Sequence, residues 1–303
     1  MRDTFVNCLV EYASTHDNLI LLTGDLGYGA LEPFIERFPN RFFNCGIAEQ
    51  NMMGVASGLA LEGKKVVIYS IGNFDTLRCL EQIRNNISYH NLDVKIVSIG
   101  SGMEYGSLGY SHHATEDISA IRGLPNINIY CPSCKSECKA VCMQMLKETS
   151  PCVLRLNKRG ADDVLPKEIH LNKATVNKVF DGEKIALLCT GSILSEGIMC
   201  HDILAKNGHN IAVYAFPTIE PVQKNKILEI AKKYDTIVTL EEHNVMGGFG
   251  SSIAEVTAEN YPCPVIRIGL RDVFSSKIGS QKYLREVYHM DAASVAKEIS
   301  KLY

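Results

Sequence analysis

Short apolar runs alternate with amphipathic segments along most of the chain. The runs predict buried strands, because a parallel strand covered on both faces shows no polar alternation. Segments in which apolar residues recur every three or four positions predict helices between them. The predicted strands cover residues 18–23, 41–44, 64–70, 94–100, 127–131, 153–156, 185–189, 210–215, 236–240 and 265–268. Besides a helix that begins at residue 47, the predicted helices cover residues 1–16, 31–38, 73–89, 117–122, 135–148, 195–207, 224–234 and 251–259, with a last one from residue 292.

This alternation of strands and helices predicts an α/β fold built from doubly wound parallel sheets. A polar, irregular stretch that contains Pro166 interrupts it after residue 156. We interpret residues 166–178 as a linker between a domain over residues 1–165 and a smaller α/β domain over residues 179–303. A chain of 303 residues is long enough for two domains with substantial cores.

Residues 44–63 carry the most informative pattern in the sequence, a polar turn followed by an amphipathic helix from Ile47. Glu49 falls in the first turn, where the helix dipole favours a carboxylate. Gly54 and Gly58 lie four residues apart on the same helix, so we expect another segment to pack closely there. A glutamate at a helix start is usually a surface charge, but the small residues around this one favour a buried position.

The run Gly-Ile-Ala-Glu-Gln-Asn-Met-Met-Gly-Val-Ala-Ser-Gly-Leu-Ala, residues 46–60, resembles the pyrimidine-binding domain of transketolases and, more distantly, of deoxyxylulose-phosphate synthases. The resemblance extends along almost the whole chain, and the second domain resembles the transketolase C-terminal domain. It implies thiamine diphosphate as cofactor, which supplies the difficult chemistry. In this family the Glu of the motif binds N1′ of the aminopyrimidine, so the resemblance makes Glu49 both a cofactor-binding and a catalytic residue.

The resemblance also assigns cofactor-binding and substrate-binding residues elsewhere in the chain. Phe74 matches the aromatic region that stacks on the aminopyrimidine, with Tyr69 as the alternative. Asp25 matches an Asp of the first loop that lies near the cofactor. His112 follows a glycine-rich loop and matches the His that contacts substrate, where an imidazole can act as acid or base near neutral pH. His113 is expected to line the substrate site beside it.

Departures from the family pattern concern the substrate. Gly100 stands where transketolases carry a phosphate-binding His, and Leu108 stands where they carry an Asp that touches a substrate hydroxyl. Positive charge is kept at the end of the later strand, at Arg155, Lys158 and Arg159. We therefore expect a channel that is roomier and less polar at one end, and an acceptor larger than a simple aldose phosphate. Lys158 or Arg159 would bind an anionic group of the substrate.

Gly24-Asp25 and Asn51 imitate the Gly-Asp-Gly…Asn signature with which the family's N-terminal domain holds Mg²⁺ and the diphosphate. Leu26 replaces the second glycine, which prevents a close approach of the backbone to phosphate, and Asn51 belongs to the Glu49 motif. We therefore expect no metal ligands in this chain and place Mg²⁺ and the diphosphate on a separate N-terminal subunit. The chain resembles the C-terminal subunit of a split transketolase, paired with its own copy in an α2β2 assembly.

The resemblance implies transfer of a two-carbon ketol unit from a ketose to an aldehyde or sugar acceptor. Two alternatives stay open at this point. One is a thiamine-dependent synthase that decarboxylates a 2-keto acid, as deoxyxylulose-phosphate synthase does. The other is a regulatory subunit that has lost catalysis.

The composition is that of an ordinary globular protein, with 46% hydrophobic and 21% charged residues. A net charge of −3 gives no support for a nucleic-acid partner. No run of eighteen apolar residues predicts a membrane span, and the first residues lack the apolar core of a signal peptide. Eleven cysteines without such a signal favour free thiols and a cytoplasmic location.

Two further groups of residues could be mistaken for a functional site. Cys131, Cys134, Cys138 and Cys142 have the number of ligands that zinc needs. Their later spacing is helical, however, and we expect core thiols and no bound zinc. His243 precedes a Gly-Gly-Phe-Gly loop that is structural in the family, so we expect a scaffold histidine.

Overall fold

The computed structural model describes residues 1–271 and 273–303 and contains two β-sheets flanked by helices. The strands are β1 (Leu19–Thr23), β2 (Phe42–Asn44), β3 (Lys65–Ile71), β4 (Val94–Ile99), β5 (Asn128–Tyr130), β6 (Cys152–Leu156), β7 (Asn177–Phe180), β8 (Ile185–Cys189), β9 (Ala212–Ala215), β10 (Thr218–Glu220), β11 (Thr236–Asn244) and β12 (Val265–Leu270). The helices are α1 (Arg2–Ala13), α2 (Glu32–Arg37), α3 (Glu49–Leu61), α4 (Gly72–Asp75), α5 (Leu80–Gln82), α6 (Asp117–Arg122), α7 (Lys135–Lys147), α8 (Leu194–Lys206), α9 (Lys224–Lys233), α10 (Phe249–Asn260), α11 (Gln281–Val287) and α12 (Ala292–Ser300).

The first sheet has the strand order β10-β5-β6-β4-β3-β1-β2 and is parallel except at its β10 edge. Successive residues of β1 face opposite sides of this sheet. Ile20 and Leu22 pack in one core with Met52 and Met53 of α3. Leu19 and Leu21 pack in another core that contains residues of α1 and α7. Helices therefore cover both faces, which explains the unbroken apolar run of β1.

The second sheet has the order β12-β11-β8-β9-β7 and is parallel except where β7 pairs with β9. One of its faces shares a core with residues of α8 and α12. The other face belongs to the core that contains α9, α10 and the α3 side of the first sheet. The predicted fold class, two doubly wound α/β units, is confirmed.

Two strands lie where the sequence predicted none. β10 comes from the second half of the chain but pairs antiparallel with β5 at the edge of the first sheet. β7 begins at Asn177, so the last two residues of the predicted linker, 166–178, belong to the second sheet. Neither strand exceeds four residues, which is too short for a periodic pattern to appear.

The helix predicted over residues 73–89 is broken. It consists of α4, a 3₁₀ turn over Leu77–Cys79, α5 and a π-helical segment over Ile83–Ser88. Thr76 has φ −110° and ψ −80°, which lie outside the helical region and end α4. The break separates Phe74 from the rest of the segment. Within the described residues, no helix combines the length and apolar character required to cross a bilayer.

Candidate active site

Four side chains meet at the carboxyl edge of the first sheet, where parallel α/β sheets bind their ligands. They form a chain of contacts from Glu49 to Arg78, from Arg78 to Phe74 and from Phe74 to His112. We call these four residues the Glu49 cluster. Three of them were predicted from the sequence, and the structure brings those three together although 63 positions separate Glu49 from His112.

Glu49 is the first residue of α3 and is buried. It lies against the loop after β1, because a Cβ added to Gly24 would be 3.7 Å from the Glu49 Cγ. Its Oε2 accepts a hydrogen bond of 2.8 Å from Nη1 of Arg78. Among the described residues, Arg78 is the one cation that pairs with this carboxylate. The predicted buried position of Glu49 is therefore confirmed, and its charge is compensated from one side.

Phe74 is held in place by the residues on either side of it. Ser98 of β4 donates a hydrogen bond of 2.7 Å to Oδ1 of Asp75. Asp75 is fully buried, and this burial raises the pKa of its carboxyl group well above the usual value. Asn73 donates a hydrogen bond of 2.8 Å to the carbonyl oxygen of Ser111. These bonds fix the Phe74 ring between β4 and the loop that carries His112.

His112 ends a loop that the second domain supports. Reciprocal hydrogen bonds between Gly102 and Ala114, of 3.0 and 2.9 Å, close the loop at its base. Glu242 accepts a hydrogen bond of 2.6 Å from the backbone N–H of Met103, and Arg285 donates one of 2.6 Å to Glu242. The second domain therefore takes part in positioning His112 above the Phe74 ring, whose centroid is 5.1 Å from that of the imidazole.

Two of the predicted cofactor residues lie outside the Glu49 cluster. Asp25 is exposed, and its carboxylate accepts hydrogen bonds from Tyr28 (2.8 Å) and Asn44 (3.1 Å), which lower its pKa. Tyr69 is buried on the opposite face of the sheet, where its ring stacks on Phe5. Side chains alternate along a strand, so Tyr69 faces away from α3. The structure therefore favours Phe74 over Tyr69 as the stacking residue.

The predicted substrate residues have different environments. His113 is buried; burial lowers its pKa, and its Nε2 has no hydrogen-bond partner within the described chain. Lys158 and Arg159 are exposed after β6. The backbone N–H of Lys158 donates a hydrogen bond of 2.9 Å to Glu104, and its Nζ lies 4.9 Å from the centroid of the Tyr105 ring. Of these three residues, the two cations face solvent and His113 does not.

The expectation of a roomier channel at Gly100 is wrong. A Cβ added to Gly100 would lie 2.0 Å from Cε2 of Tyr105, so the tyrosine ring occupies the space that a larger side chain would need. Arg155 is also unavailable for a substrate anion, because it is buried and donates hydrogen bonds of 2.6 and 3.1 Å to Asp117. Lys158 and Arg159 remain as exposed positive charges after β6.

His243 lies beside the Arg155–Asp117 pair, and both of its ring nitrogens are hydrogen-bonded. Nε2 accepts from the backbone N–H of Ile118 at 3.1 Å, and Nδ1 donates to the carbonyl oxygen of Asn244 at 2.7 Å. Burial lowers the pKa of His243 to about 4, so it is neutral at pH 7. This is the scaffold histidine that the sequence predicted, and it joins the two domains.

The four closely spaced cysteines do not converge. Cys131, Cys134 and the pair Cys138 and Cys142 lie in three different apolar cores. Cys138 and Cys142 are 3.8 Å apart between sulfur atoms, one helical turn from each other on α7. All eleven cysteines are free thiols, and absence of zinc remains a prediction for metal analysis.

Arg78 is the site residue that sequence reasoning missed. A continuous helix would place Phe74 and Arg78 on one side, but Thr76 breaks the helix between them, so the spacing of four positions does not establish their contact. The partner carboxylate could not be found in this way, since Glu49 is 29 positions earlier in the chain.

The Glu49 cluster fits a flat, nitrogen-rich ring such as the aminopyrimidine that the resemblance implies. The planar Arg78 guanidinium already lies over Phe74, with Cζ 4.3 Å from the ring centroid, while it donates to Glu49. A group of similar shape with nitrogen atoms at its edge can make the same two contacts. The residues able to hold that ring are therefore Glu49 and Phe74, with His112 beside them.

Two family profiles cover most of the chain. The profile described as "Transketolase, pyrimidine binding domain" matches residues 1–162, and "Transketolase, C-terminal domain" matches residues 174–295. A protein of Methanocaldococcus jannaschii named "Putative transketolase C-terminal section" is 35% identical, over 99% of this chain and 95% of its own. A 6-deoxy-6-sulfo-D-fructose transketolase subunit of Clostridium sp. strain MSTE9 is 33% identical, over 98% of this chain and 92% of its own.

The fold comparison agrees with the sequence comparison. A solved structure titled "Split gene transketolase, inactive beta4 tetramer" superposes with a TM-score of 0.89 and is 32% identical. The superposition covers 99% of this chain and 97% of the chain in that structure. The similarity therefore includes both domains and their relative placement.

Proposed function

Because this chain belongs to the transketolase family, we propose that it is the subunit carrying the pyrimidine-binding and C-terminal domains of a split, thiamine-diphosphate-dependent transketolase. The observation that carries the proposal is the convergence of Glu49, Phe74 and His112 at one edge of the first sheet. Relatives of this chain that are named as transketolase subunits also support the function of a thiamine-dependent transferase.

Thiamine diphosphate, when bound, supplies the carbon nucleophile for transfer of a two-carbon ketol unit. Glu49 would hold N1′ of the aminopyrimidine and its proton, from a buried position where that interaction is not screened by water. Phe74 would stack on the ring and set its orientation. His112 hydrogen-bonds the substrate's carbonyl or hydroxyl oxygens, with its own Nδ1 held 3.0 Å from the Ser111 hydroxyl.

A second polypeptide supplies the diphosphate and Mg²⁺ site in this proposal. The first loop supports it, because Leu26 stands where the metal-binding signature needs glycine and Asn44 already binds the Asp25 backbone N–H at 2.9 Å. The words "C-terminal section", "subunit" and "split gene" in the names of similar proteins also support it. We propose an α2β2 assembly with the active site at the contact between unlike subunits.

The outer face of α3 supports a contact with another chain. Apart from the nearby backbone of α3 itself and the adjoining residues, no described atom lies within 4 Å of a Cβ added to Gly54 or Gly58. The expected close packing at these glycines is therefore wrong for the isolated chain. Ile47 is 80% exposed and Leu61 is 68% exposed at the two ends of this face. Apolar side chains next to open glycines are typical of a surface that another protein covers.

The substrates are proposed to be sugars that carry an anionic group. Lys158 and Arg159 are exposed cations at the carboxyl end of β6, and Tyr105 closes the space beside Gly100. An exposed guanidinium suits a phosphate or sulfonate oxygen pair. The structure gives no support for the larger acceptor that the sequence departures suggested.

Reconstitution tests the proposed function. The chain should show no ketol transfer alone and should gain it, with Mg²⁺-dependent cofactor binding, when mixed with a partner that carries the Gly-Asp-Gly…Asn signature. Assays that offer a ketose phosphate and, separately, pyruvate as donor distinguish a transketolase from a decarboxylating synthase. Full activity of the purified single chain would contradict the split assembly, and activity with pyruvate alone would contradict the transketolase.

A further inference from the structure

Arg78 occupies the position that the proposed function gives to the aminopyrimidine. Its guanidinium lies over the Phe74 ring and donates a hydrogen bond to Glu49. These are the two residues expected to stack on the cofactor ring and to bind its N1′. A guanidinium is planar and presents N–H donors at its edge, so it makes the same two contacts as the aminopyrimidine. The two groups cannot occupy the place together.

We propose that Arg78 is a placeholder, which closes the aminopyrimidine pocket in the cofactor-free chain and is displaced when the cofactor binds. The inference rests on the proposed function, because it requires that Glu49 and Phe74 bind the aminopyrimidine. Beyond the proposed function, Arg78 would act before catalysis, by controlling access to the aminopyrimidine pocket.

The surroundings of Arg78 allow its side chain to move. The side chain is 44% exposed, and its bond to Glu49 is its one hydrogen bond within the described residues. The backbone is held separately, because Gln50 of α3 donates a hydrogen bond of 3.1 Å to the Arg78 carbonyl oxygen. Displacement therefore needs a rotation of the side chain only. Glu81, exposed three positions later, offers a carboxylate for the released guanidinium.

The placeholder has a physical reason. A buried carboxylate without a partner is strongly unfavourable, because burial removes its hydration. Arg78 supplies the missing positive partner and covers the Phe74 face until a ring replaces it. On binding, the aminopyrimidine forms contacts with Glu49 and Phe74, but the contacts of Arg78 with the same two residues must first break. Arg78 therefore weakens binding of the aminopyrimidine.

The test measures binding of the neutral hydroxymethyl-aminopyrimidine half of thiamine to the full chain, by ligand-observed NMR titration. A neutral probe removes the effect of charge repulsion by Arg78. In Arg78→Gln the probe should bind about tenfold more tightly. That factor corresponds to the combined stabilisation from a half-exposed ion pair and a cation–π contact, which the probe no longer has to break. Arg84→Gln is the matched control, an exposed arginine on the same segment, and should leave the affinity unchanged.

Two further measurements separate failure of this inference from failure of the proposed function. Glu49→Ala added to Arg78→Gln should weaken probe binding about tenfold or more, because a hydrogen bond to a charged group is lost. Ethylguanidinium should compete with the probe in Arg78→Gln, because it can occupy the position of the missing Arg78 guanidinium between Glu49 and Phe74. Ethylammonium should not compete.

The outcomes are distinct. Tighter binding in Arg78→Gln but not in Arg84→Gln supports the placeholder. Unchanged or weaker binding in Arg78→Gln, combined with a loss on adding Glu49→Ala, overturns the placeholder and keeps the aminopyrimidine site. An affinity that does not respond to Glu49→Ala overturns both. Circular dichroism of each variant confirms that the compared chains are folded.

Discussion

Two arginine–carboxylate pairs lie at the same edge of the first sheet but have opposite surroundings. Arg155 donates two hydrogen bonds to Asp117, and the two side chains are 4% and 1% exposed. Arg78 donates one hydrogen bond to Glu49, and its side chain is 44% exposed. The first pair lies where α6, β6 and β11 meet, whereas the second opens to solvent.

The difference separates a structural ion pair from an exchangeable one. Removing one member of a buried pair leaves a charge without hydration, so a buried pair is hard to break. A half-exposed arginine regains water when it leaves its partner, and such pairs contribute little to stability. We infer that Arg155 fixes the loop and domain geometry around the site, while Arg78 can give way to a ligand.

The largest expected effect comes from breaking the buried pair. Asp117→Ala leaves the Arg155 charge buried without its partner and should lower the free energy of unfolding by about 3–5 kcal/mol. Urea-induced unfolding of the full chain, followed by circular dichroism, measures this loss. Asp117→Leu with Arg155→Met removes both charges and should cost less than the single change. A loss below about 1 kcal/mol, the usual value for an exposed pair, would show that the two pairs do not differ as described.

A smaller effect is expected from His243, which lies against the buried pair. Its pKa is about 4 in the folded chain against an ordinary value of 6.5. The unfolded chain therefore takes up a proton first as the pH falls, and stability is lost between pH 6.5 and 4. Between pH 7.5 and pH 5 this loss is about 2 kcal/mol.

His243→Asn should remove that pH-dependent part, so the stability difference between wild type and variant should shrink by the same amount at pH 5. Urea unfolding at the two pH values measures it. His90→Asn, at an exposed position, is the control and should leave the pH dependence unchanged. Parallel pH profiles for wild type and His243→Asn would mean that His243 titrates normally in the folded chain.

The smallest effect is expected at the exchangeable pair. Arg78→Gln should lower the free energy of unfolding by less than about 1 kcal/mol, because a half-exposed ion pair and its cation–π contact are each weak. The same urea measurement checks it beside Arg84→Gln. A loss as large as that of Asp117→Ala would make Arg78 part of the scaffold and contradict its exchange with a ligand.

The sequence was sufficient to predict the features of the fold that depend on local periodicity. The apolar runs located the strands of both sheets except β7 and β10, and the pattern after Asn44 located α3 with Glu49 at its start. β10 has three residues between Pro217 and Pro221. It is a strand because it pairs with β5, and no pattern within three residues can show that pairing.

The remaining site features depend on contacts between distant residues. The Arg78–Glu49 bond joins two segments that the sequence describes separately, and neither segment specifies the other. From the sequence alone, Gly100 suggests free space beside the backbone. The structure shows that the ring of Tyr105, five residues later in the same loop, fills this space. Tyr69 and Phe74 are similar candidates by type and are distinguished by the face of β3 from which Tyr69 projects.

The proposed function requires Glu49 to be the proton partner of the cofactor's aminopyrimidine. Hydrogen–deuterium exchange at the thiazolium C2 position measures this role in a complex of the chain with the proposed diphosphate-binding subunit and Mg²⁺. Glu49→Gln keeps the size of the side chain and the fold, and it should slow this exchange about a hundredfold or more, as expected when a positioned acid–base group is lost. An exchange rate equal to that of the wild-type complex would contradict the assignment of Glu49.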